Sequence, residues 1–204
     1  MSSVKTRTEL IDVVVPAAGS GSRMGSAIPK QYLKLDDKTI LEHTLLALLN
    51  CSSIGNIIVS LSGSDQWFYT LPLSKSAGIL HVTGGQERSD SVREALRLVK
   101  TPYVMIHDAA RPFISVEDLN LLIDACTKED ECGGILCAKS TDTLKVRSGT
   151  QSRIEKTLPR EQIFRALTPQ LFKTQLLKDA LAYVYSNHLA ITDDAQALEM
   201  LGYH

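Results

Sequence analysis

The chain alternates between short β-branched apolar runs and stretches in which apolar residues recur at helical spacing. The apolar runs cover residues 11–15, 57–61, 79–83, 103–107 and 135–138. Helical spacing is found in residues 39–50, 91–99, 115–126, 173–185 and 193–201. Short continuous apolar runs are typical of strands that are buried on both faces. Their alternation with helices predicts an α/β fold, a mainly parallel sheet with helices on both faces.

The composition fits one such unit and excludes several other classes of protein. The 204 residues include 44% hydrophobic side chains, and 22 basic and 23 acidic residues give a net charge of −1. A chain of this length buries about 70% of its unfolded surface, so residues 1–204 are expected to form a single domain. The balanced charge provides no field for a polyanion, and we expect no nucleic-acid partner. Because neither a membrane-spanning apolar stretch nor a signal peptide is found, we expect a cytoplasmic protein.

Four cysteines are spread over the chain, at Cys51, Cys126, Cys132 and Cys137. They lack C-x-x-C spacing and have no neighbouring histidines, which argues against a zinc site and against a disulfide framework. The pattern predicts buried free thiols in a reducing compartment.

The alternation is interrupted between about residues 140 and 160. Residues 142–146 and 153–158 each have a strand pattern, and residues 147–150 have the composition of a turn. Together they predict a β-hairpin that extends from the main body.

The first predicted strand runs into a loop of small residues, 16–25, which contains three glycines. Such a loop lets the backbone approach a ligand closely and directs N–H groups at an anion, so it is predicted to hold phosphate. Its spacing matches neither the dinucleotide fingerprint nor the Walker loop. Arg23 within the loop and Lys30 after it are candidate cations for the same phosphate, although either could be an ordinary surface charge.

Two further loops follow predicted strands, at the edge where parallel sheets bind ligands. After the third strand, two glycines precede Ser91, which is suited to hydrogen-bond a base or ribose; a plain strand-to-helix turn is the alternative. After the fourth strand come Asp108 and Arg111, and Asp108 is suited to meet Mg²⁺ directly or through water. The alternative is a simple ion pair between these two. We expect His107 to be packed rather than catalytic.

Seven motifs occur in one order along nearly the whole chain. They are Pro16-Ala-Ala-Gly-Ser-Gly-Ser-Arg-Met-Gly25, Pro29-Lys-Gln-Tyr-Leu33, Gly84-Gly85 with Arg88 and Ser91, His107-Asp-Ala-Ala-Arg-Pro112, Asp142-Thr143, Leu167-Thr-Pro-Gln170 and Thr192-Asp-Asp194. Together they resemble the 2-C-methyl-D-erythritol 4-phosphate cytidylyltransferase family. The resemblance implies a Rossmann-like nucleotidyltransferase domain whose hairpin is a protruding β-arm shared across a homodimer. It also implies that CTP and methylerythritol phosphate are joined with loss of pyrophosphate, in non-mevalonate isoprenoid biosynthesis.

The resemblance further implies roles for individual residues. Arg23 and Lys30 would be the catalytic cations that stabilise the pentavalent phosphorus, and Mg²⁺ would be the cofactor. The residues implied to hold CTP and its metal are Ala17, Ala18, Gly19, Gly85, Ser91 and Asp108. The residues implied to hold the sugar phosphate, partly from a second subunit, are Asp108, Arg111, Thr143, Arg160, Thr168 and Thr192.

Two features depart from the family pattern. Family members continue past the Thr-Asp-Asp segment with a strand of the Asn-Ile-Lys type, whose lysine helps hold the substrate phosphate, and no such pattern precedes His204. The family often has an acid where Gln86 stands, and we expect the amide to be tolerated because it can still hydrogen-bond a base.

Three other functions are alternatives on the sequence. A cytidylyltransferase for ribitol 5-phosphate or another polyol phosphate would have the same CTP site. A nucleotide-binding module would keep the pocket without turnover, although the retained Arg23, Lys30 and Asp108 count against it. A Rossmann dehydrogenase is the weakest alternative, because its third glycine would be misplaced.

Overall fold

The computed structural model describes residues 10–19, 28–128, 131–150 and 152–204. The strands in these residues are β1 (Ile11–Pro16), β2 (Lys34–Leu35), β3 (Lys38–Thr39), β4 (Ile54–Leu61), β5 (Ile79–Thr83), β6 (Tyr103–Ile106), β7 (Gly133–Lys139), β8 (Lys145–Arg147), β9 (Ile154–Thr157) and β10 (Phe164–Lys173). The α-helices are α1 (Ile40–Leu49), α2 (Arg88–Ala95), α3 (Val116–Lys128), α4 (Thr174–Ser186) and α5 (Asp194–Glu199). Short 3-10 helices cover Lys30–Tyr32, Phe68–Thr70, Pro72–Lys75 and Arg160–Gln162.

Six strands form one mixed sheet in the order β5-β4-β1-β6-β10-β7. Strand β1 pairs in parallel with β4 on one side and with β6 on the other, and β5 extends the parallel part beyond β4. Strand β10 is antiparallel to both of its neighbours. Along the chain, β4 and then β5 are therefore added on one side of β1, and β6 is added on the opposite side of β1. Open α/β sheets bind ligands at such a reversal, beyond the carboxyl ends of the strands.

Alternating residues of β1 enter two separate hydrophobic cores, one on each face of the sheet. Val13 and Val15 belong to the core that α1 and α3 cover, whereas Val14 belongs to the core under α2, α4 and α5. Burial of each such aliphatic side chain stabilises the folded state by about 1.5–3 kcal/mol. The predicted α/β architecture, with helices on both faces of a mainly parallel sheet, is therefore confirmed.

Local hydrogen bonds set where the helices begin. Helix α1 starts at a capping box, in which the Thr39 hydroxyl accepts from Glu42 N at 3.2 Å and the Glu42 carboxylate accepts from Thr39 N at 2.9 Å. Helix α3 starts after Ser115, whose hydroxyl accepts from Asp118 N at 3.0 Å, as the sequence predicts. Helix α2 begins at Arg88, earlier than the apolar spacing predicts, and the Asp90 carboxylate accepts the N–H of the preceding Glu87.

The prediction that all five apolar runs are buried on both faces is wrong for β5 and β7. These two strands lie at the edges of the sheet, where much of their side-chain surface is exposed. The prediction of buried thiols is likewise wrong for two cysteines, since Cys132 is half-buried and Cys137, on β7, is exposed. The thiols of all four cysteines are free, as expected.

Among the described residues, strand β10 is the one large element that the apolar pattern does not predict. Its middle contains the polar residues Thr168 and Gln170, and its pairing with β7 shifts register between Ala166 and Gln170. The strand nevertheless lies between β6 and β7. The chain therefore returns to the main sheet directly after the hairpin region.

The predicted hairpin is present and is shorter than the sequence pattern. Strands β8 and β9 pair antiparallel in a sheet of their own, with Lys145 opposite Thr157 and Val146 opposite Lys156. Nearly all described side chains between 141 and 166 are exposed or half-buried. Across the described ranges, no helix has both the length and the apolar character that crossing a membrane requires.

Candidate active site

The small-residue loop leaves β1 at the reversal point of the sheet. Ala17 is buried and its N–H donates to Ser60 O at 2.8 Å, which continues the parallel pairing past the end of the strand. Ala18 and Gly19 become progressively more exposed. Arg23, the predicted cation within this loop, lies outside the described residues.

The loop is fastened to the 3-10 turn that contains the second predicted cation. Gln31 is buried in this turn, and its side-chain Nε2 donates to Ala17 O at 2.7 Å and to Gly19 O at 3.2 Å. Lys30 opens the turn and is exposed. Within the described part of the chain its ammonium forms no ion pair, so its charge is available to a ligand.

The two glycines after β5 are required by close packing. A Cβ on Gly84 would lie 2.6 Å from Ser91 Oγ and 2.9 Å from Ala18 Cβ, so this loop touches the loop after β1. Gly85 N donates to Ser91 Oγ at 3.2 Å, and that hydroxyl also lies 3.2 Å from Glu87 O. Ser91 is buried, and these bonds shape the turn into α2. A contact between Ser91 and a base or ribose stays a prediction.

Asp108 and Arg111 follow β6, as the sequence predicts. Arg111 Nε lies 3.0 Å from Asp108 Oδ2, so the simple ion pair that was the alternative does form. Arg111 remains exposed, and one nitrogen engaged by Asp108 leaves the rest of its guanidinium available to a phosphate. Buried His107 shares a 2.9 Å hydrogen bond between Nε2 and Arg111 O. Burial lowers the pKa of His107, so at neutral pH the ring is uncharged and its Nε2–H donates to that carbonyl.

Arg88 joins this loop to the last helix, a role that sequence reasoning missed. Its Nε lies 3.1 Å from Asp108 Oδ1 and its Nη1 lies 2.6 Å from Asp194 Oδ2. Asp194 is fully buried, and this burial raises its pKa while the Arg88 charge opposes the rise. Burial also acts to lower the pKa of Arg88, but the two carboxylates outweigh it and the pKa is raised. The available signal was that Arg88 and Asp194 stand in two of the seven motifs.

Thr168 and Thr192 are brought toward the same loops by different elements. Asp108 N donates to Thr168 Oγ1 at 3.2 Å, which places the middle of β10 against the loop after β6. Gln170 Nε2 donates to Asp193 Oδ2 at 2.9 Å, and Asp193 caps α5 by accepting from Gln196 N. Thr192 is exposed directly before that cap. The carboxyl ends of β1, β5 and β6, β10 and the start of α5 therefore line one crevice.

Thr143 and Arg160 are not brought into this crevice. Both are exposed, near the ends of the hairpin segment, and Arg160 Nε lies 3.7 Å from the neighbouring Glu161 carboxylate. No hydrogen bond or ion pair between described residues joins either side chain to Asp108 or Arg111.

The described residues contain no group of three or more His, Cys, Asp or Glu side chains that could hold a metal ion by themselves. Both carboxylate oxygens of Asp108 already face guanidinium groups, from Arg88 and Arg111. This donor set fits an ion that is carried mainly by ligand phosphates and water, which is the usual situation for Mg²⁺. It does not fit a protein cage.

The fold and the crevice define a nucleotide-binding α/β protein. Loops of small residues follow β1 and β5. The Lys30 ammonium, which has no ion-pair partner among the described residues, and the exposed Arg111 guanidinium lie at the same end of the sheet. Comparison with known proteins identifies the particular family. The chain belongs to the family of 2-C-methyl-D-erythritol 4-phosphate cytidylyltransferase (IspD), whose model matches residues 11–204.

Relatives and solved structures of similar proteins agree with this assignment. The chain is 43% identical over 203 residues to 2-C-methyl-D-erythritol 4-phosphate cytidylyltransferase of Vibrio vulnificus, covering 97% of this chain and 84% of that protein. It is 46% identical over 190 residues to the enzyme of that name from Tolumonas auensis, covering 93% and 83%. The crystal structure of the Francisella tularensis enzyme superposes with a TM-score of 0.79 at 33% identity, covering 96% of this chain and 88% of the other. A second crystal structure, of 4-diphosphocytidyl-2C-methyl-D-erythritol synthase from Anaerococcus prevotii, has a TM-score of 0.83 at 26% identity, covering 96% and 85%.

Proposed function

We propose that this chain is a CTP-dependent cytidylyltransferase that joins CTP and 2-C-methyl-D-erythritol 4-phosphate in non-mevalonate isoprenoid biosynthesis. One phosphate oxygen of the sugar phosphate attacks the α-phosphorus of CTP, the bond to the β-phosphate oxygen breaks, and pyrophosphate leaves. The products are 4-diphosphocytidyl-2-C-methyl-D-erythritol and pyrophosphate. The observation that carries the proposal is the convergence of two glycine loops, Lys30 and the Asp108–Arg111 pair at one end of the sheet in a chain of this family.

Charge is the main barrier that the protein has to lower. Two unit negative charges about 5 Å apart repel by about 3 kcal/mol at an effective dielectric near 20, and the two substrates contribute several such pairs. In this proposal Lys30 and Arg23 stabilise the charge that develops at the α-phosphorus. The N–H groups of the loop after β1 do the same without any reorganisation. No protein nucleophile is needed, because phosphoryl-type transfer depends on positioning and charge stabilisation.

The two substrates have separate parts of the crevice in this proposal. The cytidine and its phosphates bind the loops that contain Ala17, Ala18, Gly19, Gly85 and Ser91. The sugar phosphate binds beyond them, near Asp108, Arg111, Thr168 and Thr192. The guanidinium of Arg111 supports this division, since it is exposed and suited to hold a phosphate.

Mg²⁺ is the proposed cofactor, and when bound it neutralises phosphate charge and orients the triphosphate. The residues that would meet it fit an indirect role. Because both oxygens of Asp108 already accept from guanidinium groups, Asp108 would meet the ion through water.

A homodimer completes the site in this proposal, through the hairpin of residues 145–157 and the segment after it. Its support is the exposure of Ile154 in the hairpin, at 68%, and of Phe113, two positions after Arg111, at 90%. Thr143 and Arg160 lie outside the crevice of their own chain, which agrees with their reaching the partner's sugar phosphate. A reducing, cytoplasmic location stays a prediction of the sequence.

The test is pyrophosphate release from CTP and Mg²⁺, with 2-C-methyl-D-erythritol 4-phosphate and ribitol 5-phosphate compared as acceptors. We expect release with methylerythritol phosphate alone. It should be measured on the 204-residue chain and on one extended past His204 by the family's Asn-Ile-Lys strand. Release with ribitol phosphate instead would assign the protein to the other polyol phosphate. CTP binding without release from either chain would leave a nucleotide-binding module and contradict the proposed catalysis.

A further inference from the structure

Gln31 is a buried polar side chain that the proposed chemistry does not use. It is 3% exposed and lies one residue after Lys30, in the 3-10 turn Lys30–Tyr32. Its Nε2 lies 2.7 Å from Ala17 O and 3.2 Å from Gly19 O. Backbone carbonyls only accept hydrogen bonds, so the group that faces both of them must be the NH₂ end of the amide, and each of its two N–H bonds has a partner.

The bond to Ala17 O fixes the direction of one peptide N–H in the loop after β1. A trans peptide is planar, so when Ala17 O points toward Gln31, the N–H of Ala18 points the opposite way. Within the described residues that N–H has no hydrogen-bond acceptor. Backbone donors that are shielded from water almost always have a partner. Because Ala18 is half-buried, its N–H, held in one direction at the crevice, is suited to an anion.

The turn that holds Gln31 is itself anchored. The Tyr32 hydroxyl donates to Asp65 Oδ2 at 2.6 Å, and its ring stacks on Trp67 with centroids 5.6 Å apart. Burial and the Asp65 carboxylate raise the pKa of Tyr32, so the hydroxyl stays protonated and keeps donating. Gln31 therefore links the phosphate loop to a fixed support, and Lys30 is carried on the same turn.

We propose that Gln31 is a positioning residue for nucleotide binding: its amide holds the loop so that Ala18 N–H faces the CTP phosphates and Lys30 stays beside them. This role rests on the proposed function, because it assumes that the anion in the crevice is CTP. It predicts an effect on CTP binding and on turnover, with little effect on the KM of the sugar phosphate.

Two substitutions test the role. Q31M keeps the length of the side chain and removes both donors, and Q31E keeps its shape but turns a carboxylate toward two carbonyl oxygens. We expect either to weaken CTP binding roughly 10- to 100-fold, since two hydrogen bonds that order the loop are lost. The matched control is Q175M on the exposed face of α4, which also removes an amide donor, from a bond to Asp179. Its CTP affinity should equal that of the unaltered protein.

A pH series distinguishes positioning from general damage to the fold. Once protonated, the introduced carboxyl of Q31E donates one hydrogen bond to the loop carbonyls, so its CTP affinity should recover as the pH falls. Q31M has no such group and should not recover. Equal pH profiles for the two variants would contradict the proposal.

Calorimetric titration with CTP and Mg²⁺ measures the CTP affinity of each protein. Hydrogen exchange on the unaltered protein measures the protection of the Ala18 amide. We expect CTP to slow exchange of the Ala18 amide, and no slowing would overturn the proposal even if both variants failed to fold. If the unaltered protein binds CTP and Q31M binds it within about twofold, only the role of Gln31 is wrong. If the unaltered protein binds no CTP, the proposed function is wrong and this role with it.

Discussion

Replacing Arg88 with methionine should destabilise the protein strongly at neutral pH and weakly in mild acid. Arg88 supplies the positive charge beside Asp194, whose carboxylate is fully buried, at 2.6 Å. Methionine retains much of the apolar volume of the arginine side chain, so the change removes mainly charge and hydrogen bonds. Asp194 then has an uncompensated charge in a site where Oδ1 already has no hydrogen-bond partner among the described residues.

The size of the effect follows from the burial of the pair. Unit charges about 4 Å apart interact by about 4 kcal/mol at an effective dielectric near 20. Removing one partner of a buried pair costs about 3–5 kcal/mol. Because the Arg88 side chain is 33% exposed, solvent already screens part of its charge, and we expect the lower end, about 3 kcal/mol. For a chain of this length that corresponds to a fall of roughly 6–12 °C in Tm.

The pH dependence follows from the raised pKa of Asp194. Burial favours its protonated form in the folded state, and removing Arg88 raises the pKa further. An acid whose pKa is higher when folded binds more protons in the folded state, so stability is highest below the unfolded pKa and falls as the pH rises through the folded pKa. The loss caused by Arg88→Met should therefore be smaller at pH about 5 than at pH about 7.

Urea denaturation of the variant and the unaltered protein at both pH values measures this effect. The double variant Arg88→Met with Asp194→Asn is the control, because it removes the buried charge along with its partner and should recover much of the lost stability. A loss below about 1 kcal/mol at neutral pH, or an equal loss at both pH values, would refute the argument that Arg88 compensates the Asp194 charge.

Three further predictions concern catalysis, the hairpin and a helix cap. Lys30→Ala should lower kcat by orders of magnitude with a modest change in CTP affinity, measured by pyrophosphate release and calorimetry; unchanged turnover would remove its electrostatic role. Arg160→Ala should mainly raise the KM for the sugar phosphate, and an effect confined to CTP would show that the hairpin segment does not reach that substrate. Thr39→Ala breaks the capping box of α1 and should lower the free energy of unfolding by about 1 kcal/mol in urea denaturation, with kcat unchanged; a loss of activity at full stability would contradict a purely structural cap.

The local pattern of the chain determined most of the fold. A strand that lies between two layers of helices needs apolar side chains on both of its faces, as Val13, Val14 and Val15 provide in β1. Such a short apolar run can be recognised in the sequence without any structure. The cap at Ser115 is visible for the same reason, since it depends on residues only three positions apart. The seven motifs in order were sufficient to indicate the family that the comparisons confirm.

Tertiary structure alone decided which of these elements lie at an edge and which charges meet. The apolar pattern does not predict the strand between β6 and β7, because Thr168 and Gln170 interrupt the pattern of β10 and its partner strands are distant in the chain. The contact of Arg88 with Asp194 spans 106 positions, and that of Gln31 with Ala17 joins a side chain to a backbone oxygen. Periodicity and spacing report local geometry, whereas a buried ion pair or a held loop depends on how the packed layers bring remote residues together.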